Sequence, residues 1–266
     1  MSFPAQVSGL RFTTAAESYR DPEVSPEGAP TTTRHLDPER EAENHRLVAE
    51  WNDRLDGAPA EEILDWVGEH VAGTVAVTLS MQDTVLAELA EGRLGSAEMV
   101  FLDTGYHFPE TLDVARAVET RYTLPLRTVE PEYSVETQDR VYGPRLYSRN
   151  PTACCRMRKV EPLARMLDPY DAWISGVKRV DSPLRRSTPV LAVDRSGRLK
   201  VNPLVAWTDD DVEAYIRDHD LIVHPLTRQG YPSIGCATCT LPVAEGEDPR
   251  SGRWAGTGKT ECGLHT

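Results

Sequence analysis

The sequence predicts an α/β fold: a largely parallel twisted sheet with helices on both faces. Three observations predict it. Short β-rich runs recur along the chain as GTVAVTLS, AEMVFLDTG, LPLRTVEP and DAWISGV. Stretches with helical apolar spacing separate them, which is the alternation of a parallel sheet with crossover helices. The chain has 266 residues, 39% of them hydrophobic, enough for one large core.

Taken in order, residues 1–36 carry scattered Pro, Thr and Gly without an apolar period and read as a loose leader. Leu47, Val48, Trp51 and Leu55, then Ile63, Leu64, Val67 and Val71, recur at helical spacing and predict two amphipathic helices. After the first β-run, Val85, Leu86 and Leu89 fit a helix. HFPETLDVARAVETRY follows the second run as another, and CCRMRKVEPLARML precedes the fourth as a third. TPVLAVDRSGRLKVNPL reads as two short strands around a Ser-Gly turn. TDDD before VEAYIRDH is a capped helix start with Thr208 as cap. From His224 onward the chain is rich in Gly and Pro and shows no period, so it needs another organiser, for which a metal centre is a candidate. The expected division is a leader at 1–36, a nucleotide-binding body at 37–249 and a C-terminal tail at 250–266.

The formal charge of -13 argues against nucleic acid or an anionic membrane surface as the main partner. No apolar run is long enough to span a bilayer, and the first twenty residues lack a secretory pattern, so a cytoplasmic location is expected. A homo-oligomer is compatible with the sequence.

Two strand ends carry candidate ligand residues. Ser80, Gln82 and Asp83 follow the first β-run at the start of a helix, and Asp103, Thr104 and Gly105 close the second. In open α/β sheets ligands sit beyond the carboxyl ends of the strands, so the pair predicts a nucleotide site.

Five cysteines give the sharpest signal. Cys154 with Cys155, and Cys236 with Cys239, form two close pairs that complete a four-thiolate set, while Cys262 lies near the C-terminus. Four thiolates accept either zinc or a 4Fe-4S cluster, and the adjacent pair departs from the usual zinc spacing. Cys262 is then a leftover nucleophile. Basic residues gather around these motifs: Arg156, Arg158, Lys159, Lys178, Arg179, Arg185, Arg186, Arg250 and Arg253. In an acidic protein such a set suits a bound phosphate or sulfate.

The ordered motifs LDTG, CCRMRK, GVKRVDSPLR, VNPLVAWT, GYPSIGCATC, DPRSGRW and ECGLH resemble the assimilatory adenylylsulfate reductases, most closely the actinobacterial branch. The resemblance runs from GTVAVTLSMQD to the end of the chain. It implies an adenine nucleotide α hydrolase-like fold and thioredoxin-dependent reduction of adenosine 5'-phosphosulfate to sulfite and AMP, for cysteine biosynthesis. It further implies a 4Fe-4S cluster on Cys154, Cys155, Cys236 and Cys239, with Cys262 as the nucleophile on a mobile tail. Lys159 would link cluster and substrate. Arg250, Arg253 and His265 would contact the phosphosulfate or organise the tail, with Arg179 and Arg185 as further anion ligands. Related enzymes acting on the 3'-phosphorylated substrate share the fold and the ECGLH tail but generally lack the cluster cysteines. An ATP pyrophosphatase of the same superfamily leaves all five cysteines unexplained. A zinc-stabilised nucleotide-binding module without catalysis is the alternative from another class. One departure stands out: many relatives have Gly after the loop Ser, where this chain has Met81, so a differently shaped loop is expected.

Overall fold

The computed structural model describes residues 34–261 and 263–264. Helices α1 (Pro38–Leu55) and α2 (Ala60–His70) lead into strand β1 (Val75–Leu79), helix α3 (Val85–Glu91), strand β2 (Glu98–Leu102), helix α4 (Pro109–Arg121) and strand β3 (Leu126–Val129). Helices α5 (Val135–Tyr142), α6 (Leu146–Arg149), α7 (Pro151–Cys155) and α8 (Glu161–Leu167) follow. Strands β4 (Ala172–Ser175), β5 (Leu191–Val193) and β6 (Leu199–Val201) and helix α9 (Asp209–Asp218) complete the body.

The strand order is β3-β2-β1-β4-β6-β5. All neighbours run parallel except the β5-β6 hairpin, so the predicted sheet and its Ser-Gly turn are both present. The chain winds outward from β1 to β3 and returns beside β1 with β4, which makes the β1-β4 junction a topological switch point. Alternation along the strands divides the core. Val75, Val77, Met99, Phe101, Ala172 and Ile174 pack with α2, α3 and α4 on one face. Ala76, Val100 and Trp173 meet Leu163, Met166 and Leu167 of α8 on the other. Both faces are covered, which is why these strands read as nearly continuous apolar runs.

The caps follow local chemistry. Asp37 accepts a hydrogen bond from the Arg40 amide at the start of α1 (2.9 Å). Thr208 and Asp211 form the reciprocal pair expected for α9, at 2.8 and 3.2 Å. Residues 34–36 already attach to the body: Leu36 donates its amide to the Ser196 carbonyl (2.9 Å).

One expectation needs correction. The stretch from Cys154 to Leu167 is not a uniform α-helix, because Arg156–Val160 form a π turn between α7 and α8. In the loop after β1, Met81 adopts a positive φ of 63°. That conformation costs a residue with a Cβ roughly 1–2 kcal/mol. The Met81 side chain is fully buried in the main core, and this burial offsets the strain. Met81 thus takes a backbone conformation that glycine adopts readily.

Candidate active site

The segment after α9 has no long helix or strand, and it is pinned to the sheet end by polar staples. Gln82 holds it at three points: its carbonyl accepts from the His224 amide (2.9 Å), its Oε1 from the Ile234 amide (2.9 Å), and its Nε2 donates to the Pro232 carbonyl (3.4 Å). His224, fully buried, bonds Thr111 through Nε2 (2.9 Å) and accepts the Leu226 amide at Nδ1 (3.3 Å). Further on, the Ala237 amide donates to the Tyr106 carbonyl (2.7 Å). The Leu241 amide donates to the Gly252 carbonyl (2.9 Å) and the Trp254 amide to the Cys239 carbonyl (3.0 Å). These bonds fold residues 250–254 back along the Cys236–Cys239 turn.

Gly252 is required there by close approach, since a Cβ would stand 2.2 Å from the Leu241 carbonyl oxygen. Gly252→Ala is expected to destabilise the protein by about 1–3 kcal/mol through overpacking against backbone that cannot swing aside. Thermal unfolding at wild-type temperature would show that the segment yields more freely than this contact implies.

The fold brings all four paired cysteines to one small cavity, which Tyr106, Arg158, Lys159, Thr238 and Trp254 also line. Cys154, Cys155 and Cys236 are buried and Cys239 is half-buried. Burial, then the neighbouring Cys155, Cys236 and Cys239, push the Cys154 thiol up to about 12. The Cys239 thiol is also raised, first by burial, with Lys159 and Arg253 opposing the shift. Four thiolates here need compensating positive charge, and Arg158 supplies it. Its guanidinium is buried, donates to the Thr104 and Tyr133 carbonyls and to Gln138 Oε1, and lies over the Tyr106 ring at 5.1 Å. None of these partners is a carboxylate, and its charge opposes the rise of the Cys154 thiol.

The donor set is sulfur alone. Among the described residues no three His, Cys, Asp or Glu side chains converge on a single ion position. Four thiols lining one cavity fit a 4Fe-4S cluster by donor type, since such a cluster takes four thiolates.

Beside this cavity opens a cleft of about 1140 Å³, lined by the carboxyl ends of β1, β2 and β4. It lies at the switch point and has room for a nucleotide. Ser80, Gln82, Asp83, Thr104, Arg179, Arg185, Arg250 and Arg253 line it, and Lys159 lines both spaces. The sequence-predicted residues divide by what they touch. Gln82 is committed to the staples above. Asp83 Oδ1 accepts the Val85 amide (3.1 Å), and burial pushes its carboxyl up, opposed by that bond and by Lys178. Asp103 and Gly105 do not line the cleft: Asp103 Oδ1 accepts the Gly105 amide (2.8 Å), closing the turn. Gly105, at φ of 71°, leaves room for Arg158, whose Nη2 would stand 2.9 Å from a Cβ. This turn presents Thr104, whose Oγ1 lies 3.2 Å from Cys236 Sγ. The second strand end thus serves the thiol cavity as much as the cleft.

Basic groups on the rim are partnered. Lys178 bonds Asp209 (2.7 Å) and Asp181 (3.2 Å); burial opposes its charge, but these acids outweigh it and push its pKa up. Arg179 contacts Asp56 at 2.8 Å and the Thr188 carbonyl at 2.9 Å. Arg253 donates to Ser233 Oγ (3.0 Å) and the Ile234 carbonyl (3.1 Å) and lies over Trp254. Arg185 and Arg250 converge on Glu261. Sequence reasoning gave no role to Arg158, Tyr106 or Glu261; Arg158 was visible in the basic set, and Glu261 as the residue before Cys262. Cys262 and His265 lie outside the described residues.

Comparisons with known proteins agree with this geometry. The family model for the phosphoadenosine phosphosulfate reductase domain matches residues 74–242. An adenosine 5'-phosphosulfate reductase of Mycobacterium tuberculosis is 46% identical over 252 residues, covering 88% of this chain and 98% of that protein. The Mycolicibacterium smegmatis protein of the same name is 48% identical over 212 residues, covering 79% and 90%. The crystal structure of a phosphoadenylyl-sulfate reductase from Candida auris aligns with a TM-score of 0.61 at 26% identity, over 79% of this chain and all of that one. On the family match and on identity across most of its length, the chain belongs to the phosphoadenosine and adenosine phosphosulfate reductase family.

Proposed function

We propose that this protein reduces adenosine 5'-phosphosulfate to sulfite and AMP in sulfate assimilation, with Cys262 as nucleophile and thioredoxin as reductant. One observation carries the reading: a nucleotide-sized cleft at the sheet's switch point shares Lys159 with a cavity lined by four thiols. The mycobacterial relatives carry the name of that activity.

The cleft would hold the nucleotide beyond β1, β2 and β4, with Lys159, Arg253 and His265 toward the phosphosulfate. The Cys262 thiolate attacks sulfur, the sulfur-oxygen bond to phosphate breaks, and AMP leaves with the electron pair. Two anions meet in this step, so fixed cations offset the repulsion and the charge developing on phosphate. Cys262 then carries a sulfonate. A thioredoxin thiolate attacks its inner sulfur and displaces sulfite, and the second thioredoxin thiol resolves the mixed disulfide. Cys154, Cys155, Cys236 and Cys239 would hold a 4Fe-4S cluster, which would tie α7 to the C-terminal segment and act on Lys159 through its charge. Arg158 would balance that charge and Thr104 would hydrogen-bond its Cys236 ligand.

The test is incubation with adenosine 5'-phosphosulfate and with its 3'-phosphorylated form, without thioredoxin. One AMP per site and a sulfonate on Cys262 are expected with the former. Preference for the 3'-phosphorylated substrate would transfer the protein to the other activity of the family, and no adduct with either would end the reading.

A further inference from the structure

Glu261 belongs to the segment just before Cys262, yet it is held as firmly as any ionised group on the cleft. Arg185 grips it with one edge of its guanidinium, Nε to Oε1 at 2.9 Å and Nη2 to Oε2 at 2.7 Å. Ser182 Oγ donates to Oε1 at 2.8 Å, and Arg250 Nη2 reaches Oε2 at 3.4 Å. The carboxylate side chain is only 11% exposed and that of Arg185 12%. Asp181 steadies Arg185 from behind, through Nη1 at 2.8 Å. Bidentate pairs of this kind fix geometry as well as charge.

On the other side of Cys262 the contact is apolar. Leu264 packs with Leu102 and Val129 against the cluster of Ala76, Val100, Leu163 and Trp173, and it lines the cleft. Glu261 is therefore held at an ionic point and Leu264 at an apolar point, and in the sequence these residues flank Cys262. With both pins in place the cleft still measures about 1140 Å³, so the docked tail leaves room for a nucleotide.

We propose that Glu261 is a latch: a positioning residue whose grip on Arg185, Ser182 and Arg250 docks the tail and brings Cys262 to the cleft. In this role Arg185 and Arg250 hold the tail rather than the substrate anion. The inference rests on the function proposed above. The latch must close for attack on the substrate and release when thioredoxin approaches the sulfonated thiol. A carboxylate held by charged hydrogen bonds suits this use, because water can replace its partners when the tail leaves.

The test compares wild-type holoprotein with Glu261→Gln, and with Glu247→Gln as an exposed control. Hydrogen exchange in the C-terminal peptide from residue 257 is expected to accelerate about tenfold or more in Glu261→Gln, in line with loss of a charged hydrogen-bond network, and to stay unchanged in the control. AMP affinity should hold within about twofold, while single-turnover sulfonation of Cys262 slows by a similar tenfold, a loss in kcat rather than KM. Unchanged exchange overturns the latch. So does AMP binding that tightens with sulfonation unaltered, since Glu261 would then compete with the substrate anion. If wild-type protein forms no sulfonate, the proposed function falls, and the exchange data still decide whether Glu261 docks the tail.

Discussion

Cys262→Ser protein is expected to bind AMP as the wild type does, to keep its iron, and to form no sulfonate with adenosine 5'-phosphosulfate. A hydroxyl at neutral pH is almost wholly protonated and is a poor nucleophile, whereas a thiol near Lys and Arg has a substantial thiolate fraction. The four paired cysteines line one cavity, and as ligands of the proposed cluster none of them would be free to replace Cys262 as the attacking thiolate. Mass analysis after incubation gives the answer. Sulfonate on any of the other four, or sulfite release by the Ser variant at the wild-type rate, would abolish the division into four ligands and one nucleophile.

Cys236→Ser is expected to lose both the iron and the activity, and to loosen the segment from His224 to Trp254. Cys236 sits where three supports meet: its Sγ lies 3.2 Å from Thr104 Oγ1, and its carbonyl accepts the Thr240 hydroxyl and the Cys239 amide, each at 2.9 Å. A serine oxygen is a hard ligand poorly matched to iron-sulfur chemistry. Removing one ligand from a segment with little regular structure of its own also removes its organiser. Iron and labile sulfide analysis with hydrogen exchange measures both effects. Full iron content in the variant, or zinc in place of iron in active wild-type protein, would defeat the cluster assignment.

The parallel sheet was legible because its central strands are buried on both faces and so are written in an uninterrupted apolar, β-branched alphabet. Val75 to Leu79 and Met99 to Leu102 could hardly be anything else once helical periods flanked them. The cysteine set was legible by arithmetic. The π turn at Arg156–Val160 was not, because one wide turn leaves the apolar spacing on either side nearly unchanged. Gln82 was legible as a residue of the first strand end, but its side-chain bonds to Pro232 and Ile234 were not, because both lie far along the chain in a segment without period. Glu261 was hidden for the same reason, since Arg185 and Ser182 lie more than seventy positions away. Met81 shows another limit: nothing in its residue type announces the positive φ whose cost its core burial offsets.

The π turn also separates the two halves of this helix in phase. An α-helix advances about 100° per residue, so one extra residue in a turn rotates everything beyond it by that amount relative to everything before. Cys154 and Cys155 end the first half, and Arg158 and Lys159 lie within the wide turn itself. With α8 kept on the sheet by Leu163, Met166 and Leu167, deleting one residue there would rotate α7 by about that angle. It would thereby turn thiols and cations away from each other, as a key cut correctly but inserted a quarter-turn out.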